Sequence, residues 1–303
     1  MRRGIYPVLQ MPLDDNENID PVALGAEIEW LIGLGVEGVV LAMVSEVMRF
    51  NSEERRAQWQ LVLELLKNRI PLIVSVGAES TSIAVGLAKL AALDGASLLI
   101  ATPPASYPAT SDEIYSYYRA IVEAVNIPIV VQDASNYMGQ PLPMELYERL
   151  LSDFGTERIQ FKPEAKPVRD RVARLQEITQ GKAQVFEGQS GMDLLQTHEL
   201  GLVGTMPGSE IVWAIAPLWQ ALEAGDIEKA KLIHQGISRL IEFQQSIDAY
   251  VAVEKYLLVK QGIFTSVKQR GPVSIVLSEA IKSQIDAVFR ELQIVVKEAG
   301  LLA

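Results

Sequence analysis

The chain has 303 residues, 49% of them hydrophobic, and a formal net charge of −11. This acidic balance, with no basic cluster, argues against nucleic acid and anionic membrane as partners. The absence of cysteine excludes disulfides, thiolate chemistry and cysteine-based metal sites. No apolar run approaches the roughly 20 residues of a membrane span, and the N-terminus lacks a signal-peptide pattern. We therefore expect a cytoplasmic protein.

Short runs rich in β-branched residues alternate with longer amphipathic segments. Several runs are almost entirely apolar, as expected for parallel strands that are covered on both faces. The eight runs are residues 4–10, 36–43, 70–77, 96–103, 127–133, 158–162, 183–188 and 202–208. Eight strands, each followed by a helix, predict a (β/α)8 TIM barrel. An open doubly wound sheet is the alternative, but no Gly-x-Gly-x-x-Gly motif follows the first strand.

The segments between the strands carry helix signals. Asn51 with Glu54, and Thr110 with Glu113, are typical of helix N-termini. The chain beyond the eighth strand has a helical pattern throughout. The sequence thus predicts a barrel over residues 1–225 and a C-terminal helical extension of the same domain over residues 226–303, which would cover a barrel face or form a subunit contact.

Histidine offers little chemistry in this sequence. His198 and His234 are the only two histidines, and neither has a carboxylate or histidine partner at metal-ligand spacing. A metal site needs three or four convergent ligands. We therefore predict no metal site and no Ser-His-Asp catalysis.

A lysine ends the sixth predicted strand, in the stretch RIQFKPEAK. Lysine is costly in a buried strand because its ammonium must be desolvated or paired. In a barrel, however, the active site lies at the carboxyl ends of the strands. Desolvation there favours the neutral amine, which attacks a substrate carbonyl to form a Schiff base. Lys162 is therefore a candidate nucleophile; the alternative is a lysine that reaches solvent or pairs with Glu164.

Other predicted strands also end in residues that can bind a substrate. Each of these positions is equally compatible with an ordinary βα-turn, because Gly, Ser, Asp and Glu are common where a helix begins. The candidates are Val44, Ser45 and Glu46 after strand 2, Gln132 and Asp133 at the end of strand 5, Glu187 and Gly188 at the end of strand 7, and Met206, Ser209 and Glu210 at and beyond the end of strand 8.

With Lys162 at the sixth strand, the chain resembles the dihydrodipicolinate synthase / N-acetylneuraminate lyase family. The resemblance extends nearly end to end, through GIYPVLQMPLDDNENID, LIGLGVEGVVLAMVSEVMRFNSEER, IPIVVQD, FKPEAK and VEKYLLVKQGI. It implies a (β/α)8 barrel, a homo-oligomer (tetramer or dimer), and a Schiff-base lysine at Lys162 that binds pyruvate or another 2-oxo acid. It also implies that no cofactor is needed, because the iminium supplies the electron sink.

The sequence departs from the family pattern at three places. The family's Gly-Thr-Thr-Gly-Glu turn, which holds the 2-oxo acid's carboxylate, is replaced by residues 42–46, where Ser45 is the remaining hydroxyl and Glu46 matches the family's Glu. The tyrosine that relays protons at the end of strand 5 is replaced by Gln132, which has no titratable proton. The arginine that binds the second substrate in dihydrodipicolinate synthases falls at or near Tyr137.

The QDA end of strand 5 and the FK-x-E end of strand 6 resemble the subgroup that dehydrates 2-keto-3-deoxy sugar acids, such as 2-keto-3-deoxy-L-arabonate. We predict dehydration through an iminium on Lys162, with Glu164 as the first candidate for moving protons. Retro-aldol cleavage and condensation with pyruvate are the enzymatic alternatives. A barrel that binds small acids without catalysis is the alternative of another class, since a fold does not by itself imply chemistry.

Overall fold

A computed structural model describes residues 2–298 of the chain, which contain eight parallel strands. The strands are β1 (Gly4–Ile5), β2 (Val39–Leu41), β3 (Leu72–Ser75), β4 (Leu98–Ala101), β5 (Ile129–Asp133), β6 (Ile159–Pro163), β7 (Phe186–Glu187) and β8 (Gly204–Thr205). Each coincides with a predicted run, and only β6 extends beyond its run, by one residue.

The strands form a closed barrel. Strands β2 to β6 pair in chain order, and β1 pairs with β8, which pairs with β7. Parallel bridges between Val8 and Val40 and between Phe161 and Val185 join these two groups of strands at both seams. The predicted TIM barrel is therefore confirmed, and the open sheet is wrong.

Helices follow the strands as predicted. They are α1 (Pro21–Gly33), α2 (Ser52–Leu66), α3 (Thr81–Asp94), α4 (Ser111–Ala124), α5 (Met144–Phe154), α6 (Val168–Ile178), α7 (Leu194–Thr197) and α8 (Val212–Glu223). Asn51 and Glu54 form a capping box at the start of α2, and Thr110 accepts the Glu113 N–H at the start of α4. None of the helices within residues 2–298 has both the length and the hydropathy of a membrane span.

Three further helices follow the barrel: α9 (Ile227–Ile241), α10 (Ile247–Lys260) and α11 (Glu279–Glu298). Helix α9 packs on α8 and α11, whereas α10 packs on the 3-10 turns that follow β2 and β8. Helix α10 therefore covers the carboxyl end of the barrel, where the strands end. The last five residues of the predicted extension, 299–303, lie outside the described residues.

Side chains alternate between two faces along each strand. In β5, Val130 packs with the residues inside the barrel, while Ile129 and Val131 pack in the layer between strands and helices. Continuing the alternation, Gln132 faces inward. It is the register partner of Lys162 on β6, so both side chains point into the barrel at its carboxyl end.

Candidate active site

Lys162 lies at the end of β6 with only 4% of its surface exposed. Its Nζ is 3.0 Å from Oε1 of Glu164. A Lys-x-Glu spacing on a strand places both side chains on the same face, and here that face is the barrel interior. The lysine thus has one close anionic partner to neutralise it and to exchange a proton with it.

Glu164 is buried and shared between neighbours. Nε2 of Gln132 donates to Oε1 of Glu164 at 3.0 Å, and Oε2 has no hydrogen-bond partner among the described residues. Burial raises the pKa of Glu164, while Lys162 and the Gln132 amide lower it. The side chains of Asn136 and Gln189 hold the Glu164 carbonyl. Its carboxyl is therefore positioned to take and return a proton beside Lys162.

Lys162 and Glu164 open into a pocket at the carboxyl end of the barrel. Six of the residues predicted for the site line it together: Val44, Gln132, Lys162, Glu164, Gly188 and Met206. Gly188 makes room for the pair, because a Cβ there would lie 2.7 Å from Lys162 Cε and 2.8 Å from Glu164 Oε1.

Ser45 and Glu46 are placed differently from Val44, and neither lines this pocket. The Ser45 hydroxyl donates to the Leu9 carbonyl at 2.6 Å. Glu46 is fully buried and pairs with Nζ of Lys255 at 2.5 Å, and it accepts the Arg270 N–H at 2.8 Å. These contacts fasten α10 and the following segment to the barrel.

Asp133 and Glu187 point away from the pocket. Each is the sequence neighbour of a residue that lines it, Gln132 or Gly188, and consecutive side chains of a strand face opposite sides. Asp133 accepts the Leu142 N–H and the Tyr147 hydroxyl. Glu187 accepts the Thr205 hydroxyl at 2.5 Å and backbone N–H groups of the following turn. Burial raises the pKa of Glu187 to about 7. Both carboxyls order the loops around the site.

Sequence reasoning missed the contribution of α10 to the pocket, which includes Tyr250 and Glu254. The Tyr250 hydroxyl lies 3.1 Å from that of Tyr137, which joins α10 to the loop after β5. One sequence signal was available: the charged pair Glu254-Lys255 interrupts the apolar stretch AYVAVEKYLLV. A helix that is apolar on all sides is buried, so charges within it need a partner or a role.

Neither histidine lies in the pocket. His198 is buried against Trp219, and His234 contacts the Met192 carbonyl. Within residues 2–298 no group of three or more His, Asp or Glu side chains has a metal-binding arrangement.

Among known protein families, one matches nearly the whole chain. The model of the dihydrodipicolinate synthetase family matches residues 1–291. The chain belongs to this family. Its members are carbon–oxygen and carbon–carbon lyases that act on small molecules, and this dihydrodipicolinate synthetase family protein is therefore an enzyme.

Individual relatives of this family protein carry more than one activity name. L-2-keto-3-deoxyarabonate dehydratase of Azospirillum brasilense is 25% identical over 278 residues, which cover 89% of this chain and 88% of that protein. A 4-hydroxy-tetrahydrodipicolinate synthase of Agrobacterium fabrum is 29% identical over 312 residues, covering all of both chains. The solved structure of the synthase of Methylacidiphilum fumariolicum has a TM-score of 0.89 at 20% identity, with full coverage of both chains.

Proposed function

We propose that this enzyme forms a Schiff base between Lys162 and a 2-oxo acid, and that it removes water from a 2-keto-3-deoxy sugar acid. The observation that carries the proposal is the buried Lys162 Nζ, 3.0 Å from Glu164 and facing the pocket. A desolvated amine beside a carboxylate is an activated nucleophile for carbonyl carbon.

The first step uses only these two residues. Glu164 takes a proton from the Lys162 ammonium, the amine adds to C2 of the 2-oxo acid, and one N–H proton of the adduct moves to the C2 oxygen to give a hydroxyl. Glu164 then returns the proton to the C2 hydroxyl, which leaves as water, so that an iminium remains. The same carboxylate next removes a proton from C3, and the C–H electron pair moves into the iminium to give an enamine.

The 3-10 turn Met43–Ser45 is the proposed carboxylate site. The first N–H groups of a helical turn have no acceptor inside that turn and favour anions. Val44 of this turn lines the pocket, so the backbone replaces the hydroxyls that the family uses here.

The residue near the end of β5, Gln132, favours dehydration over condensation. Gln132 cannot act as an acid or base at neutral pH, and we propose that the carboxyls that line this pocket, Glu164 and Glu254, move the protons. The dehydratase name of the Azospirillum brasilense relative supports the same choice. Retro-aldol cleavage to pyruvate is the second candidate, because it begins from the same iminium.

Borohydride trapping tests the proposal. The protein is reduced in the presence of pyruvate, 2-oxobutyrate or 2-keto-3-deoxypentonates, and the adduct is located by peptide mass mapping. We expect the adduct on Lys162 and none in Lys162→Met. The matched control Lys166→Met, at an exposed lysine four positions further on, should trap as the wild type does.

The panel also separates the alternatives. Release of water without carbon–carbon cleavage identifies the dehydratase, and release of pyruvate identifies the aldolase. Folded wild-type protein that traps none of the acids would overturn the mechanism and favour a non-catalytic barrel that binds small acids.

The proposal extends to the protein's setting. We propose a homo-oligomer, tetramer or dimer, located in the cytoplasm, as the family resemblance and the acidic, cysteine-free composition suggest. Light scattering of the purified chain measures the oligomeric state, and cell fractionation measures the location.

A further inference from the structure

Two buried carboxyls meet beside the pocket. Gly208, after β8, is the point of contact: a Cβ there would lie 2.3 Å from Oε2 of Glu210 and 2.5 Å from Oε1 of Glu254. Both oxygens therefore lie close to the same point beside Gly208. Each lacks a hydrogen-bond donor among the described residues, although both side chains are at least 99% buried.

The other oxygen of each carboxyl is occupied. The Gln10 amide donates to Oε2 of Glu254, and the Gln244 amide donates to Oε1 of Glu210 at 3.2 Å. The two oxygens that approach Gly208 are therefore the ones that these amides leave without a donor. Two adjacent carboxylate oxygens without a donor repel, and they bind when one of them carries a proton.

The surrounding charges favour that proton. Burial raises the pKa of Glu254, the charges of Glu210 and Glu27 raise it further, and only the Lys162 ammonium and the Gln10 amide lower it. Lys255, the next residue of α10, is paired with Glu46. A proton shared between Glu254 and Glu210 would stabilise the two carboxyls.

We propose that Glu254 is a further catalytic residue, the acid that protonates the leaving hydroxyl. Glu210 shares this proton and so keeps Glu254 protonated until the hydroxyl leaves, which we call its reserve role. This inference rests on the proposed function. Glu254 lines the same pocket as Lys162 and Glu164. The site then has two carboxyls with separate tasks: Glu164, in contact with Lys162, acts at C3, and Glu254, covering the pocket from α10, acts at C4.

The step balances without any oxidant or cofactor. The enamine electron pair returns through C3 to form a C3–C4 double bond, the C4–O bond breaks, and Glu254 gives its proton to the departing oxygen. Water leaves and a conjugated iminium remains, which hydrolyses to free Lys162. After the product leaves, Glu164 releases to solvent the proton that it gained, and the Glu254–Glu210 pair takes up a proton from solvent.

A matched pair of substrates tests the acid role. In 4-hydroxy-2-oxobutyrate the leaving group needs a proton, whereas in 4-fluoro-2-oxobutyrate fluoride leaves without one. General acid catalysis contributes about 10²- to 10⁴-fold. We expect Glu254→Gln to lose water elimination from the hydroxy compound and from 2-keto-3-deoxypentonates by that factor. Fluoride release should equal that of the wild type, after subtraction of the background measured with Lys162→Met.

Controls keep folding separate from chemistry. Glu254→Gln must still form the borohydride-trapped pyruvate adduct and must still exchange the C3 protons of pyruvate in D2O. Glu164→Gln, in contrast, should not exchange these protons. Glu254→Asp keeps a carboxyl and should recover part of the water elimination. The acid role is overturned if Glu254→Gln loses fluoride and water elimination equally. It is also overturned if Glu254→Gln eliminates water at the wild-type rate.

Failure of the proposed function gives a different result. Wild type that traps no 2-oxo acid overturns the Schiff-base mechanism. Wild type that traps the acids but eliminates neither water nor fluoride overturns the dehydratase, and the acid role with it.

The reserve role of Glu210 has its own readout. Removing the Glu210 charge lowers the pKa of Glu254, because like charges disfavour ionisation. Elimination of water requires protonated Glu254, so Glu210→Gln should move the basic limb of the kcat profile to lower pH. An unchanged basic limb would overturn the shared proton.

Discussion

Gln132 and Lys162 are register partners on neighbouring strands, and both reach the same oxygen, Oε1 of Glu164, at 3.0 Å. The amide stands where the family has a proton-relaying tyrosine. It moves no proton itself, but its N–H stabilises the charged form of Glu164. In the proposed mechanism, proton transfer therefore belongs to the carboxyls, and Gln132 on β5 influences the charge of Glu164.

Replacing Gln132 by Leu tests this control. Loss of the amide donor should raise the pKa of Glu164, which burial already raises and which Gln132 lowers. Removal of the C3 proton needs the carboxylate, so the acid limb of the rate should move to higher pH. The measurement is C3 proton exchange of pyruvate in D2O as a function of pH. Gln220→Leu, at an exposed position on α8, should leave the profile in place.

The approach of Lys162 and Glu164 to Gly188 predicts a cost for any side chain there. Gly188→Ala puts a Cβ 2.7 Å from Lys162 Cε and must displace the lysine. A misplacement of about 1 Å costs about 100-fold in rate, so pyruvate trapping should slow by that order. Gly86→Ala in α3, where a Cβ meets nothing within 4 Å, should trap normally, and equal rates in the two variants would contradict the packing argument.

The buried pair of Lys255 and Glu46 predicts a stability effect. Removing one partner of a buried ion pair leaves an uncompensated charge and costs about 3–5 kcal/mol. Lys255→Met should therefore lower the free energy of unfolding in urea by that amount. Lys231→Met breaks the exposed pair with Glu228 and should cost about 1 kcal/mol or less. The double variant of Lys255→Met and Glu46→Gln should lose less than the two single changes together.

Glu27 predicts how stability depends on pH. Burial raises its pKa from 4.5 to about 8 in the folded chain, so between these values the folded state binds more protons than the unfolded state. Stability should then fall as the pH rises from about 4.5 to about 8, with a slope approaching about 1.4 kcal/mol per pH unit. Glu27→Gln should reduce this slope in urea unfolding by the contribution of Glu27, whereas Glu64→Gln, at an exposed site, should leave it unchanged.

Local sequence patterns were sufficient to predict the order of the eight strands and the positions of Lys162 and Glu164 at the end of the sixth. Apolar runs and helix caps are local signals, and a two-residue spacing on a strand puts two side chains on one face wherever that strand lies. The same alternation places Gln132 and Asp133 on opposite faces of β5. Only the tertiary structure shows which of these two faces is the barrel interior.

The rest depended on tertiary structure. Glu46 matches the family's glutamate in sequence, yet its carboxyl is bound to Lys255, 209 residues away in the chain. Glu254 lies 92 positions after Lys162 and reaches the pocket because α10 packs across the barrel mouth. No local pattern encodes such a contact, because it depends on how apolar surfaces far apart in the chain bury one another.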